Sequence, residues 1–289
     1  QECVTCDLIS PELSKLTLEK GLSENATISV LHPRSIDQSI LRTSLLPGLL
    51  QVVKNNANHG VEDIHAFEIG RIHFKDGEEF KEQSCAAIVC SGKAAPSSWD
   101  VKPDSFDFFD LKGIVEGLLT VLGLAKSSFE PSHLHSLHPW RQARIKMGEI
   151  ALGAIGEVHP RISHALDLKQ RVLFAELNLH DLFPLKKKER KVQELPSCPG
   201  SVRDWTLSLK ATVPIAQVFH AIHSFKSNIL ENYFLLDLYK SEQIGKDRKN
   251  ATFRFIYRDK EKTVDIETVE KEHQKLTQAV AEKLKDHLI

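Results

Sequence analysis

Residues near the C-terminal end of the chain combine three chemistries suited to single-stranded RNA. Asp237 and Tyr239 alternate within the run LLDLY, so in a strand both side chains point to one face. A tyrosine ring can stack on an unpaired base, and a carboxylate can accept from the N1–H and N2–H edge of guanine. Lys246, Arg248 and Lys249 follow in a polar stretch and could contact phosphates. The residues leave open the alternative of a packed sheet tyrosine beside a solvated aspartate.

Other residues of metal-binding or catalytic type occur at spacings that favour no site. Cys3 and Cys6 form a single CxxC, and His133, His135 and His138 form HxHxxH. A zinc site needs three or four convergent ligands, and neither group has a second half at zinc spacing. The sequence also lacks GxxxxGK[ST] and GxGxxG, so no glycine-rich phosphate loop is expected. We therefore expect no metal site and no catalytic residue.

Composition favours a soluble protein of about two domains. The 289 residues are 41% hydrophobic and 27% charged, and no stretch approaches the roughly 18 apolar residues of a membrane helix. Five irregularly spaced cysteines favour a reducing cytoplasm over a disulfide framework. Residues 186–289 hold 20 basic and 15 acidic side chains, a net charge of +5, whereas residues 1–185 hold 18 and 24, a net of −6. This asymmetry suggests two domains with different partners.

The segment 184–200 is the predicted boundary between the domains. It contains three prolines, Gly200 and the charge run KKKERK at Lys186–Lys191. Proline and glycine interrupt regular elements, and the charges favour a solvated linker. We place one domain at residues 1–190 and the other at residues 191–289.

Apolar periodicity predicts an α+β first domain. A helix is expected at Pro47, where Leu49, Leu50 and Val53 share a face, and Asp110 is expected to cap another helix. Strands are expected at 66–74, 86–90, 143–147, 150–158 and 171–179. The hairpin-like spacing of these strands predicts a largely antiparallel sheet with helices packed on it.

The second domain has the predicted element order β-α-β-β-α, typical of a ferredoxin-like sandwich. The polar segment Ser241–Asn250 is expected to be a loop before the third strand. Only three residues, 287–289, remain for the last strand that this fold needs, so that strand is expected to be very short or missing.

Longer motifs along the chain resemble the β subunit of bacterial phenylalanine–tRNA ligase. The first domain contributes LRTSLLPGLL (41–50), FEIGR (67–71), DFFDLKGIVEGLL (107–119) and GAIGEVHP (153–160). The second domain contributes SVRDWTL (201–207), LLDLY (235–239), EQIG (242–245) and FRFIYRDKEKT (253–263). The resemblance covers nearly the whole chain in order and implies the C-terminal part of a longer subunit.

The resemblance implies an (αβ)2 heterotetramer in which the α subunit carries aminoacylation with ATP and magnesium. Residues 1–190 would have a class II synthetase catalytic fold that is silent and packs against α. Residues 191–289 would form a ferredoxin-fold anticodon-binding domain for tRNA-Phe. It also implies a cytoplasmic protein with no cofactor, metal or membrane contact of its own.

The residues of the first domain agree with this silence. An active class II site holds the ATP α-phosphate with an arginine in a Phe-Arg-x-Glu context, whereas this strand reads FEIGR, with Glu68 in that place. The candidate for the glycine-rich strand with a second arginine, Val172–Leu179, has neither feature. Glu68 and Glu176 would repel a triphosphate, although Arg71 could supply one contact if the register shifted. We therefore expect no amino-acid-dependent ATP–pyrophosphate exchange.

By resemblance, Asp237 and Tyr239 match positions that meet the first anticodon base of tRNA-Phe, a guanine. Tyr239 would stack on this base and Asp237 would bind its edge. Asn250 matches a position where a serine of the family approaches the anticodon. The phosphate contacts of the three cations named above rest on charge alone.

Two other functions remain open on the sequence. The chain could be a standalone class II-like ATP-dependent ligase, against which the FEIGR strand argues. It could also be a protein-assembly module whose ferredoxin-like domain binds no RNA. Loss of RNA binding in Tyr239→Ala, with partner binding intact, would separate the RNA-binding function from the assembly function.

Overall fold

A computed structural model describes residues 1–19, 26–124, 127–185, 195–259 and 261–288, without the side chain of Gln243. The chain divides into two compact units, Gln1–Arg190 and Lys191–Ile289. The predicted linker run Lys186–Lys191 lies outside the described residues. Among the helices of the described residues, none combines the length and apolar character needed to cross a membrane.

The described part of the first unit contains two antiparallel sheets. The small sheet has the order β1-β3-β2 and is formed by β1 (Leu8–Ile9), β2 (Ile28–Ser29) and β3 (Ile40–Leu41). The large sheet has the order β4-β5-β9-β8-β7-β6 and is formed by β4 (Ile64–Asp76), β5 (Glu79–Ser91), β6 (Ser128–Pro131), β7 (Leu137–Met147), β8 (Ile150–Val158) and β9 (Val172–Asn178). The helices are α1 (Pro11–Thr17), α2 (Leu46–Asn58), α3 (Phe108–Val121), α4 (Pro160–Ala165) and α5 (Leu179–Leu182).

Helices pack on both faces of the large sheet. The α2 face buries the predicted stripe of Leu49, Leu50 and Val53, and α3 and α5 pack on the opposite face. Asp107 is the N-cap of α3, because its carboxylate accepts from the backbone N–H of Asp110 while Asp110 accepts from the N–H of Asp107. The predicted cap at Asp110 is therefore wrong by one turn: this residue is the second half of a capping box.

The second unit has the predicted order of elements. They are β10 (Ser201–Lys210), α6 (Ile215–His223), β11 (Leu230–Tyr239), β12 (Arg248–Tyr257) and α7 (Ile266–Lys283). The sheet order is β10-β12-β11, and one sheet face buries aromatic and aliphatic residues against α6 and α7. Among the described residues of this unit, no helix covers the other face, which we call the open face. It is lined by the outward side chains of β10, β11 and β12.

The strand ends refine two predictions in this unit. β12 begins at Arg248, so the segment Ser241–Asn250 is a loop only in its first part. At the predicted position of the last strand, the described residues form one bridge, in which Leu288 pairs with Leu209 of β10.

Candidate functional site

A β-bulge in β11 decides which way the predicted site residues point. Leu235 lies opposite the buried Phe253 and faces the helices. Leu236 is then an extra residue in the pairing with β12, and the register shifts by one. A bulge of this kind re-aims the side chains that follow it. Asp237 and Tyr239 therefore face outward, whereas unbroken alternation after Leu235 would bury them.

The outward residues form a contiguous polar strip on the open face. Asp237 lies opposite Thr252, and Tyr239 lies opposite Asn250. The Tyr239 ring is 46% exposed, and Asp237 is also exposed. Ser208 Oγ donates to Asn250 Oδ1 at 2.9 Å. The structure thus brings the three predicted anticodon residues together beside one another.

Sequence reasoning missed several neighbours of this strip. The hydroxyl groups of Thr206 and Thr252 are 2.8 Å apart, and Arg254 binds Asp204 through two nitrogen–oxygen contacts of 2.8 Å. These bonds hold the pKa of Asp204 below its usual value. Phe234 lies opposite Arg254. The signal that could have found these residues is the outward half of the alternation in VRDWTLS and FRFIY.

Two of the three predicted phosphate-binding cations are exposed. Lys246 is 81% exposed and its amine lies 3.4 Å from the carboxylate of Glu242. Arg248 is exposed on β12, directly opposite Lys210 of β10. Arg248 and Lys210 therefore place positive charge at the Tyr239 end of the open face.

Lys249 contradicts its prediction as a phosphate ligand. Lys249 is only 5% exposed, because its side chain points to the helix side of β12. Its amine donates to the carbonyl oxygens of Ala211, at 3.0 Å, and Val213. Burial, with the nearby charge of Lys240, lowers its pKa. Lys249 fixes the chain that follows β10 and is not available to RNA.

In the first unit, the carboxylate of the FEIGR strand is held inside the protein. Glu68 is 1% exposed and Arg42 is 2% exposed, with 2.8 Å between Arg42 Nη1 and Glu68 Oε1. Glu68 also accepts from the hydroxyl of Thr5 at 2.8 Å. The same guanidinium contacts Asp7 at 2.7 Å and donates from Nε to the carbonyl of Arg71 at 2.9 Å. The donors of Arg42 are thus used within the protein.

Glu176 lies on the same sheet face and is also held by local donors. It pairs with Ala87, which in turn pairs with Glu68, so the three residues form one row across β4, β5 and β9. Glu176 accepts from the backbone N–H of Leu45 at 2.7 Å and from the hydroxyl of Ser44 at 3.0 Å. Burial raises the pKa of its carboxyl group. These three residues offer only acceptors to the phosphates of ATP, but the row continues through Ala154 to the exposed Arg144, which lines the same cavity as Glu176.

Arg71 does not supply a cation to this face of the sheet. Alternation along β4 turns it to the opposite side from Glu68, where it is 64% exposed and 3.1 Å from Glu82. Gly70 explains the position of the buried guanidinium, because a Cβ there would lie 2.6 Å from Arg42 Nη2. The contact that Arg71 could supply after a register shift is therefore absent in this register.

The cysteine and histidine motifs form no metal centre in the part of the chain that the structure describes. No group of three or more Cys, His, Asp or Glu there could hold a metal ion. Cys3 and Cys6 are free thiols.

Each of the two units matches a protein-family model. Residues 1–179 match the phenylalanyl-tRNA synthetase beta chain CLM domain. Residues 196–288 match the ferredoxin-fold anticodon binding domain. The chain belongs to the phenylalanine–tRNA ligase β-subunit family. The α+β fold predicted from the sequence, with a ferredoxin-like second part, is confirmed.

Curated relatives carry the name phenylalanine–tRNA ligase beta subunit. The protein of Protochlamydia amoebophila is 50% identical over 288 residues, which are 100% of this chain and 36% of that protein. Those of Carboxydothermus hydrogenoformans and Chlamydia caviae are 33% and 32% identical, over 93% and 96% of this chain and 34% of each relative. The chain thus spans about a third of the length of these β subunits.

Proposed function

We propose that this chain serves phenylalanine–tRNA ligase as a scaffold and as a reader of the anticodon of tRNA-Phe. Residues 1–190 form a class II-like unit that supports the catalytic α subunit in an (αβ)2 assembly in the cytoplasm. Residues 191–289 form the anticodon-binding domain. ATP and magnesium act elsewhere in the holoenzyme. The observation that carries the proposal is the outward turn of Asp237 and Tyr239 onto an open polar sheet face.

The geometry suits a guanine in a single strand. The half-exposed ring of Tyr239 offers a stacking surface, and Asp237, two residues away on the same face, offers a carboxylate to the N1–H and N2–H edge. Asn250 adds an amide beside the ring, with its oxygen already bound by Ser208. Arg248 at this end of the sheet would bind the phosphates.

The first unit supports a scaffold role because the two carboxylates of its class II face are held by internal bonds. Glu68 is neutralised by Arg42, and Glu176 is bound by local donors. A standalone ATP-dependent ligase would need cations at the positions of these two carboxylates. We therefore assign the reaction to the partner subunit and derive no chemical step on this chain.

The test is titration of the chain with an RNA stem-loop that carries the anticodon GAA. Tyr239→Ala should weaken binding by about 5- to 150-fold, since one lost base–aromatic stack costs ~1–3 kcal/mol. Replacing the guanine by adenine should weaken binding to the wild-type chain, because adenine lacks the N1–H and N2–H donors that Asp237 accepts.

The matched control is Leu238→Ala. Leu238 lies on the same strand and is 40% exposed, but it faces away from the open face, opposite Ala251. Its replacement should leave RNA affinity nearly unchanged. Equal binding of both stem-loops by the wild-type chain would contradict anticodon reading and favour a protein-assembly module.

A further inference from the structure

A second exposed aromatic ring lies on the same open face as Tyr239. Phe234 precedes the bulge and lies opposite Arg254, and Tyr239 follows the bulge and lies opposite Asn250. Because the register shifts between them, both rings face outward although one residue number is even and the other odd. Phe234 is 38% exposed and Tyr239 is 46% exposed.

Phe234 has a fixed cation as its cross-strand neighbour. The guanidinium of Arg254, directly across the strand pair, is fixed by two contacts of 2.8 Å with Asp204. A phenylalanine ring has no hydrogen-bonding group, so it binds a base by its face without regard to the base's identity. One exposed apolar side chain is ordinary on a protein surface. Its alignment with a second ring along one polar strip is what points to a ligand.

The spacing of the two rings fixes how a strand of RNA would use them. Arg254 lies four residue steps from Asn250 along β12, which is about 13 Å at ~3.3 Å per residue. Stacked nucleotides of one strand rise only ~3.4 Å each. An extended single strand therefore reaches both rings with one nucleotide between them.

We propose that Phe234 is a second base-stacking site, which takes the nucleotide two positions 3′ of the guanine on Tyr239. In a GAA anticodon this nucleotide is the third anticodon base. The proposal rests on the function proposed above and extends it from one base to the length of the anticodon. Phe234 determines the path of the RNA strand and contributes to its affinity, whereas the end of the open face with Asp237 and Tyr239 selects the RNA sequence.

The experiment uses the full chain and GAA stem-loops with the fluorescent base 2-aminopurine at the third anticodon position. A second stem-loop carries the probe two nucleotides 5′ of the guanine. Wild-type protein should change the fluorescence of the first probe. Phe234→Ala should abolish this change and weaken binding about 5- to 150-fold, and Phe234→Tyr should restore both.

Val202→Ala is the control for a general loss of apolar surface. Val202 is 47% exposed on the same open face but lies on β10, opposite Ile256. Its replacement should change affinity by less than about twofold, in keeping with the small effect of surface substitutions.

The outcomes separate this proposal from the one on which it rests. If the wild-type chain prefers guanine and Tyr239→Ala weakens binding, but Phe234→Ala keeps full affinity and the probe signal, anticodon reading stands and the second site is overturned. A signal from the 5′ probe that depends on Phe234 would also overturn the assigned position. If neither ring affects binding, both proposals fail.

Discussion

The first unit's large sheet and the second unit's sheet both carry carboxylates, a guanidinium and hydroxyl groups on one face, but in opposite states. In the first unit, Glu68 and Arg42 are almost fully buried and satisfy each other. In the second unit, Asp237 and Tyr239 are exposed beside Asn250. Burial makes the groups of the first unit part of its internal structure, whereas exposure leaves the groups of the second unit available to a ligand. Residue type alone therefore does not separate a silent site from a working one.

The comparison is tested most strongly by Arg42→Met. The change leaves Glu68 buried without its cation, which should lower the free energy of unfolding of the first unit by about 3–5 kcal/mol. Denaturant-dependent hydrogen exchange of β4 peptides would measure this loss without interference from the second unit.

Arg71→Met is the matched control, because the Arg71–Glu82 pair is exposed and should contribute only ~0–1 kcal/mol. The double variant Arg42→Met/Glu68→Met should recover most of the loss, since no unpaired charge remains. Equal destabilisation by Arg42→Met and Arg71→Met would break the comparison.

Glu176→Gln gives a smaller, pH-dependent effect. Burial raises the folded-state pKa of Glu176 above its ordinary value of 4.5. As pH rises from 4.5 towards the raised pKa, the unfolded state loses this proton first, so stability falls by ~1.4 kcal/mol per unit until the raised pKa is reached. The Glu176→Gln variant does not show this pH-dependent loss of stability. It should be more stable than wild type at pH 7 and about equally stable at pH 4.

Thermal unfolding at these two pH values would measure the difference. A variant that is less stable than wild type at pH 7 would show that Ser44 and Leu45 hold Glu176 as an ionised carboxylate, and would contradict the raised pKa.

The smallest effect separates two neighbouring cations of β12. Arg248→Gln should reduce the slope of log affinity against log salt concentration by about 0.7, the value for one contact to a single strand. Lys249→Met should leave this slope unchanged and lower stability instead, because it removes the amine from the carbonyls of Ala211 and Val213. Stem-loop titrations at several salt concentrations would measure both slopes. A reduced slope in Lys249→Met would contradict the assignment of its side chain to the interior.

The sequence predicted the secondary-structure elements, and it predicted that Asp237 and Tyr239 lie on one face of the same strand. It could not say which face, because that depends on the bulge at Leu236, a feature of pairing between two strands. It also placed Lys249 with the exposed cations, because the run DRKN shows charge but not the start of β12 at Arg248.

A similar limit applied in the first unit. Glu68 was recognised as a carboxylate in a place that calls for a cation. Its partner Arg42 lies 26 residues earlier in the chain, and only the fold brings them together. Local patterns report which face a residue shares, whereas the partners of a buried charge come from long-range packing.

The most direct test of the central claim is a double-mutant cycle between Asp237 and the guanine of the GAA stem-loop. The protein change is Asp237→Asn, and the RNA change is guanine to inosine, which removes the N2 amino group. If the carboxylate binds this group, the two losses should not add, with a coupling of about 1.5–3 kcal/mol. Independent, additive losses would mean that Asp237 does not touch the base, and would contradict the reading of the anticodon by the open face.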